Sequence, residues 1–220
     1  FKPQSITRSG DRKFVIDFGQ NFAGFARLVL GNVGKQKITL RFAEMLNEDG
    51  SLYTDNIRMA RAQDTYISKG YTEEIWEPLF TYHGFRYVEI SGLENIDDRT
   101  VLGISINSLP EQTASFTSSN SRLNKIFECI LWNQKSNYLD IPTDCPQRDE
   151  RFGWTGDAVS YFPTAAFNFD VSSFYQNWFE NLFDAQDEFP RAERFGHVII
   201  RPDFQSEHTV NLRRFRGEHQ

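Results

Sequence analysis

Positions 144 to 157 read Asp144-Cys145-Pro146-Gln147-Arg148-Asp149-Glu150-Arg151-Phe152-Gly153-Trp154-Thr155-Gly156-Asp157. Four carboxylates, two arginines and a tryptophan fall within these fourteen residues. Cleavage of a glycosidic bond needs a proton donor at the leaving oxygen and a second carboxylate across the sugar ring. It also needs acceptors for hydroxyls and a ring face for stacking. The stretch offers most of that set. The same residue types also build acid–arginine networks that only pin a loop, and on residue types alone both readings stay open. Clustered carboxylates attract Ca²⁺, but the interleaved arginines oppose a dication. Cys145 has no nearby Cys or His with which to hold zinc. No metal and no cofactor are expected.

The elements that must position this stretch are helical. Ser118-Ser119-Asn120-Ser121 supplies N-cap residues, and Leu123, Ile126, Phe127, Ile130, Leu131 and Gln134 then recur at spacings of three and four. That predicts an amphipathic helix to about Tyr138, ended by Pro142. A loop follows over 143–156, then helices over 158–166 and 171–186, the last with Phe174, Trp178, Phe179 and Leu182 on one stripe.

Upstream the pattern is different. Runs at 14–18, 25–30, 36–42, 64–68, 75–77, 87–91 and 101–106 are apolar, β-branched or alternating, and Gly and Asn turns separate them. Ser115-Phe116-Thr117 reads as a last strand, and residues 56–62 as a weak helix. Short strands followed by helices predict an antiparallel β-sandwich or jelly roll and then a helical domain. The expected division is 1–112 for the sandwich, 113–188 for the helical part and 189–220 for an atypical tail. That tail, which is rich in Arg and His, reads as disordered or as the product of a reading-frame error near Phe189. The start at Phe1 rather than Met reads as truncation.

Composition narrows the function class. The 220 residues carry a formal net charge of −6. A nucleic-acid partner would need a clustered basic face, so none is expected. No run is apolar and long enough to span a membrane. Aromatics make up 15% of the chain, which suits both a β-rich core and sugar stacking. Cys129 and Cys145 could pair or stay reduced, and the compartment is left open.

Residues 140–158, Asp-Ile-Pro-Thr-Asp-Cys-Pro-Gln-Arg-Asp-Glu-Arg-Phe-Gly-Trp-Thr-Gly-Asp-Ala, resemble the signature of bacterial α-L-rhamnosidases, glycoside hydrolase family 78. Asp17-Phe18-Gly19-Gln20-Asn21, Ala43-Glu44-Met45-Leu46-Asn47-Glu48-Asp49-Gly50, Phe80-Thr81-Tyr82-His83-Gly84-Phe85-Arg86-Tyr87-Val88 and Ala165-Ala166-Phe167-Asn168-Phe169-Asp170 carry the likeness from about residue 14 to 186. It implies a β-sandwich followed by the first helices of an (α/α)₆ barrel. The implied reaction is inverting hydrolysis of terminal α-L-rhamnosyl bonds in rhamnose-containing glycosides or polysaccharides. By the same resemblance Glu150 is the general acid. Asp144, Arg148 and Asp157 hold rhamnose hydroxyls, and Trp154 walls the sugar subsite.

An inverting pair lies about 6.5–9.5 Å apart, and no position here matches the family's base. Glu193, Glu207 and Glu218 are left unassigned, and the chain alone is expected to be inactive. The acid must keep its proton, which Asp149 favours and Arg148 and Arg151 oppose. A competing reading makes the sandwich a carbohydrate-binding module with Trp76, Tyr82 and Phe85 as its platform. Incomplete burial of Trp132, Phe174, Trp178 and Phe179 would favour self-association.

Overall fold

The computed structural model describes residues 1–188, with side chains described to 182. The expectations for 189–220, Glu193, Glu207 and Glu218 among them, lie outside the described residues. Alternation of apolar and polar residues builds nine strands in the first half: β1 (Ser5–Gly10), β2 (Lys13–Leu30), β3 (Lys37–Ala43), β4 (Met45–Leu46), β5 (Leu52–Tyr53), β6 (Gln63–Ile67), β7 (Glu74–Trp76), β8 (His83–Ser91) and β9 (Val101–Ser105). Seven form one antiparallel sheet in the order β1-β2-β8-β3-β6, with β7 and β9 also on β2. β4 and β5 pair separately.

The expected strands at 14–18 and 25–30 are one strand of 18 residues. Gly19, which reads as a breaker, instead takes φ +74° inside a bulge where the β2–β8 register shifts between Asp17 and Phe22. Asp17 holds the bulge by accepting from the Gly19 amide at 2.6 Å and from both Nε and Nη2 of Arg86 at 2.7 Å. Those Arg86 bonds, with the Gly19 amide, keep the Asp17 carboxyl below the usual carboxylate range. The bulge lets the two halves of β2 serve one core. Phe14, Ile16 and Phe18 before it, and Phe22, Ala26, Leu28 and Leu30 after it, pack with Leu40, Phe42, Phe85, Val88 and Ile90. The opposite face buries Val15, Ala43 and Leu52. The first half is therefore an antiparallel β-sandwich domain, and helices follow it.

Those helices are α1 (Ser121–Asn137), α2 (Thr155–Asn168) and α3 (Ser172–Glu188). Asn120 caps α1 by accepting from the Arg122 amide at 3.0 Å. Buried Gln134 on α1 donates to the Ala165 carbonyl at 3.2 Å and accepts from Asn168 at 3.0 Å, which ties α1 to the end of α2. α1 sits on the sheet through Ser136, whose hydroxyl accepts from the Ala23 amide at 3.2 Å.

Several expectations are corrected. Residues 115–117 form no strand. The segment before them turns to the helices instead: Gln112 bridges Phe169 and the Thr113 amide donates to the Asn168 carbonyl at 2.9 Å. The weak helix at 56–62 is a single 3₁₀ turn, Asp55–Ile57. Of the residues expected to lie exposed, Phe174 and Trp178 are buried and Trp132 and Phe179 are half-buried. The large apolar side chains that the helices expose, among the described residues, are Leu123, Ile126, Val159 and Phe167. Among the described residues no helix is long and apolar enough to cross a membrane.

Candidate active site

The loop between α1 and α2 is fixed at both ends and in its middle. After α1 the chain makes a two-residue pairing of β10 (Tyr138–Leu139) with β11 (Ile141–Pro142), turning at Asp140 with φ +66°. Asp tolerates that left-handed conformation better than most residues. The Thr143 amide then donates to the Asn137 carbonyl at 2.8 Å. Beyond Thr143 the loop closes on itself. The Asp144 amide donates to the Phe152 carbonyl at 3.1 Å, and the Phe152 amide donates back to Asp144 Oδ1 at 2.9 Å.

The middle of the loop lies on β8. A Cβ added at Gly84 would stand 2.9 Å from Gln147 Cβ and from Pro146 Cγ, so the two backbones approach as closely as glycine alone permits. Arg151, at φ +54°, donates from Nη1 to the Tyr82 carbonyl at 3.0 Å, and its guanidinium lies 4.8 Å from the Tyr82 ring centroid.

Within this frame the carboxylates and arginines sort themselves. Arg148 donates from Nε to Cys145 Sγ at 3.2 Å. Its Nη2 lies 3.6 Å from Asp144 Oδ2 and 3.0 Å from Glu150 Oε2. The same Glu150 oxygen accepts from Arg58 Nη1 at 3.1 Å. Asp144 Oδ2 is buried and has no hydrogen-bond partner, leaving one lone-pair face for a donor. Trp154 is 45% exposed and meets Phe152 edge-on at 5.8 Å. Asp157 stands in the first turn of α2, exposed, where the helix dipole favours an anion.

The structure thus brings Asp144, Arg148 and Glu150 together. It sets Trp154 and Asp157 at the start of α2 with no bond to the other three. Asp149 faces solvent without an ion pair among the described residues. The cations expected beside Glu150 were Arg148 and Arg151, whereas those found are Arg148 and Arg58. Sequence reasoning missed Arg58 because nothing local marks it, 92 residues before its partner.

Asp144, Cys145 and Glu150 place potential ligand atoms within 4.8 Å of one another, yet the Arg148 guanidinium already binds all three. A dication there would meet a fixed positive charge. Burial, reinforced by Asp144, pushes the Cys145 thiol up, away from the thiolate a metal would need. Both cysteines are free, Cys129 exposed and Cys145 buried. Trp76, Tyr82 and Phe85 do not make a surface platform. Phe85 is fully buried, Trp76 is stacked on Tyr66 at 5.0 Å and Tyr82 lies under Arg151.

Residues 7–107 match the bacterial alpha-L-rhamnosidase concanavalin-like domain. Residues 111–198 match the bacterial alpha-L-rhamnosidase 6 hairpin glycosidase domain. An alpha-L-rhamnosidase of Streptomyces avermitilis is 43% identical over 184 residues, which cover 83% of this chain and 18% of the relative. The solved alpha-L-rhamnosidase of Dictyoglumus thermophilum is 42% identical with a TM-score of 0.80, over 84% of this chain and 21% of that one. The Streptomyces avermitilis enzyme solved in complex with L-rhamnose gives 43% identity and a TM-score of 0.79, over 84% of this chain and 18% of that one. The chain spans about a fifth of the length of the curated relatives it matches. With its sheet half and its helical half each matched by a domain of one family, the chain belongs to the bacterial α-L-rhamnosidases.

Proposed function

We propose that this chain carries the proton donor and part of the sugar subsite of an inverting α-L-rhamnosidase, that its base comes from sequence outside the chain, and that the chain alone does not turn over. The whole protein would release terminal rhamnose from rhamnose-containing glycosides or polysaccharides. The observation that carries the reading is the convergence of Asp144, Arg148 and Glu150 on one loop, in a chain 43% identical to a relative crystallised with L-rhamnose.

Glu150 gives one oxygen to two arginines, and Oε1 is the atom that would pass a proton to the leaving oxygen. Asp144 and Arg148 offer an acceptor and a donor fork to neighbouring ring hydroxyls. Asp157 accepts from another hydroxyl, and Trp154 covers the apolar sugar face. General acid catalysis contributes about 10²–10⁴-fold, which sets the scale of the test.

The 220-residue chain, assayed on an aryl α-L-rhamnoside, is expected to give no turnover. Put in place of the matching segment of the Streptomyces avermitilis enzyme, it should support turnover, and Glu150→Gln should lower kcat about 10²–10⁴-fold on a substrate with a poor leaving group. Turnover that survives Glu150→Gln there would remove Glu150 from the acid role. Turnover by the chain alone would end the claim of inactivity.

A further inference from the structure

We propose that Arg58, on the β-sandwich domain, is a positioning residue for Glu150: the sheet reaches across to aim the carboxyl that the helical loop carries. The inference rests on the reading of Glu150 as the acid. Arg58 Nη1 donates to Glu150 Oε2 at 3.1 Å, the oxygen that Arg148 also holds at 3.0 Å. Two guanidinium groups from different elements fix one carboxylate oxygen by triangulation. The plane of the carboxyl, and with it the direction of Oε1, is then set by both domains.

The segment bearing Arg58 is built to hold it still. Ile57, beside it, is buried. Asn56 donates to Glu44 Oε2 at 3.0 Å, and Glu44 Oε1 accepts from Asn21 at 2.8 Å, which joins the segment to the bulge of β2. The Arg58 amide closes the 3₁₀ turn on the Asp55 carbonyl. Arg58 itself sits at φ +56°, ψ −117°, a conformation in which glycine would be at ease and arginine is strained. A side chain kept at such a position is accounted for by what its far end does, and its far end is on Glu150. A loose surface pair would have neither the anchored turn nor the shared oxygen.

The prediction separates aiming a proton donor from holding the fold. Proton delivery matters for a poor leaving group and hardly at all for an activated one. In the Streptomyces avermitilis enzyme carrying this chain in place of its matching segment, Arg58→Met, Arg58→Lys and Glu150→Gln are compared on methyl α-L-rhamnoside and 2,4-dinitrophenyl α-L-rhamnoside.

Arg58→Met should lower kcat on the methyl glycoside about 10- to 100-fold, the scale of a displaced catalytic group, with KM within about twofold. Its loss on the dinitrophenyl glycoside should be several times smaller. Arg58→Lys, which keeps the charge, should recover part of the loss, and it carries the test if the Met variant does not fold. An equal loss on both substrates, or none on the methyl glycoside, overturns the inference. Glu150→Gln must show the same leaving-group dependence. If it does not, the acid role itself fails, an outcome distinct from a failure of Arg58 alone.

Discussion

At the scale of single residues the site is a contest between two carboxylates for one arginine. Arg148 spans Asp144, Cys145 and Glu150, so each partner is held in place by the others. Cys145 is the member with no chemistry to do. Burial, with the negative charge of Asp144 beside it, favours the protonated thiol, and only the thiolate reacts quickly. Between pH 7 and 8 a thiol reagent such as Ellman's should therefore label exposed Cys129 quickly and Cys145 only after denaturant is added. Two thiols labelled at the same rate in the native chain would contradict the buried environment. The residue types of the loop were legible in the sequence, but their partners were not. Arg151 stands next to Glu150 in the chain and turns away to Tyr82, while Arg58 arrives from the far domain. Adjacency in sequence fixes neither the direction of a loop side chain nor what crosses to meet it.

At the scale of elements, the strands and helices followed their periodicity, and the errors fell where tertiary pairing overrides a local signal. Gly19 looks like a strand break and is a bulge, because β2 must bend to serve one core from both halves. Residues 115–117 look like a strand and pair with nothing in the sheet, because the preceding segment finds its bonds at the end of α2. Asn120 was legible as a cap because capping is local chemistry.

The contact of the loop with β8 is the element-scale feature most open to test. Gly84→Ala would drive a methyl into Pro146 and Gln147, with the Gln147 amide nitrogen 3.0 Å from the new atom. The expected cost is about 1–3 kcal/mol of stability, read as a lower thermal midpoint. A Gly84→Ala chain with unchanged midpoint would mean that the loop is not seated on the sheet as described.

At the scale of the molecule, the helices bury one face against the sheet and each other and leave another in solvent. Ile126 and Val159 are each more than half exposed and Phe167 is 62% exposed. Ile126, Ile130 and Tyr161 line one open groove between α1 and α2. Exposed apolar side chains gathered in one place favour association. The isolated chain should accordingly gain mass with concentration in light scattering, and Ile126→Glu should reduce that gain. A monomer at every concentration would count against it. Two of the four residues expected to cause association, Phe174 and Trp178, lie inside. Hydrophobic stripes identify helices, and only the packed fold says which stripe is covered.

The seat of the loop on Gly84, with the Arg151–Tyr82 bond beside it, bears on how such proteins can be recombined. A crossover placed in the linker between the two matched domains would look safe on a domain map. It would pair a loop shaped by one sheet with a sheet shaped for another loop. Any residue larger than glycine at position 84 of the donor sheet would strike the incoming loop. Functional hybrids should therefore arise from exchange of the sheet and the loop as one inherited block.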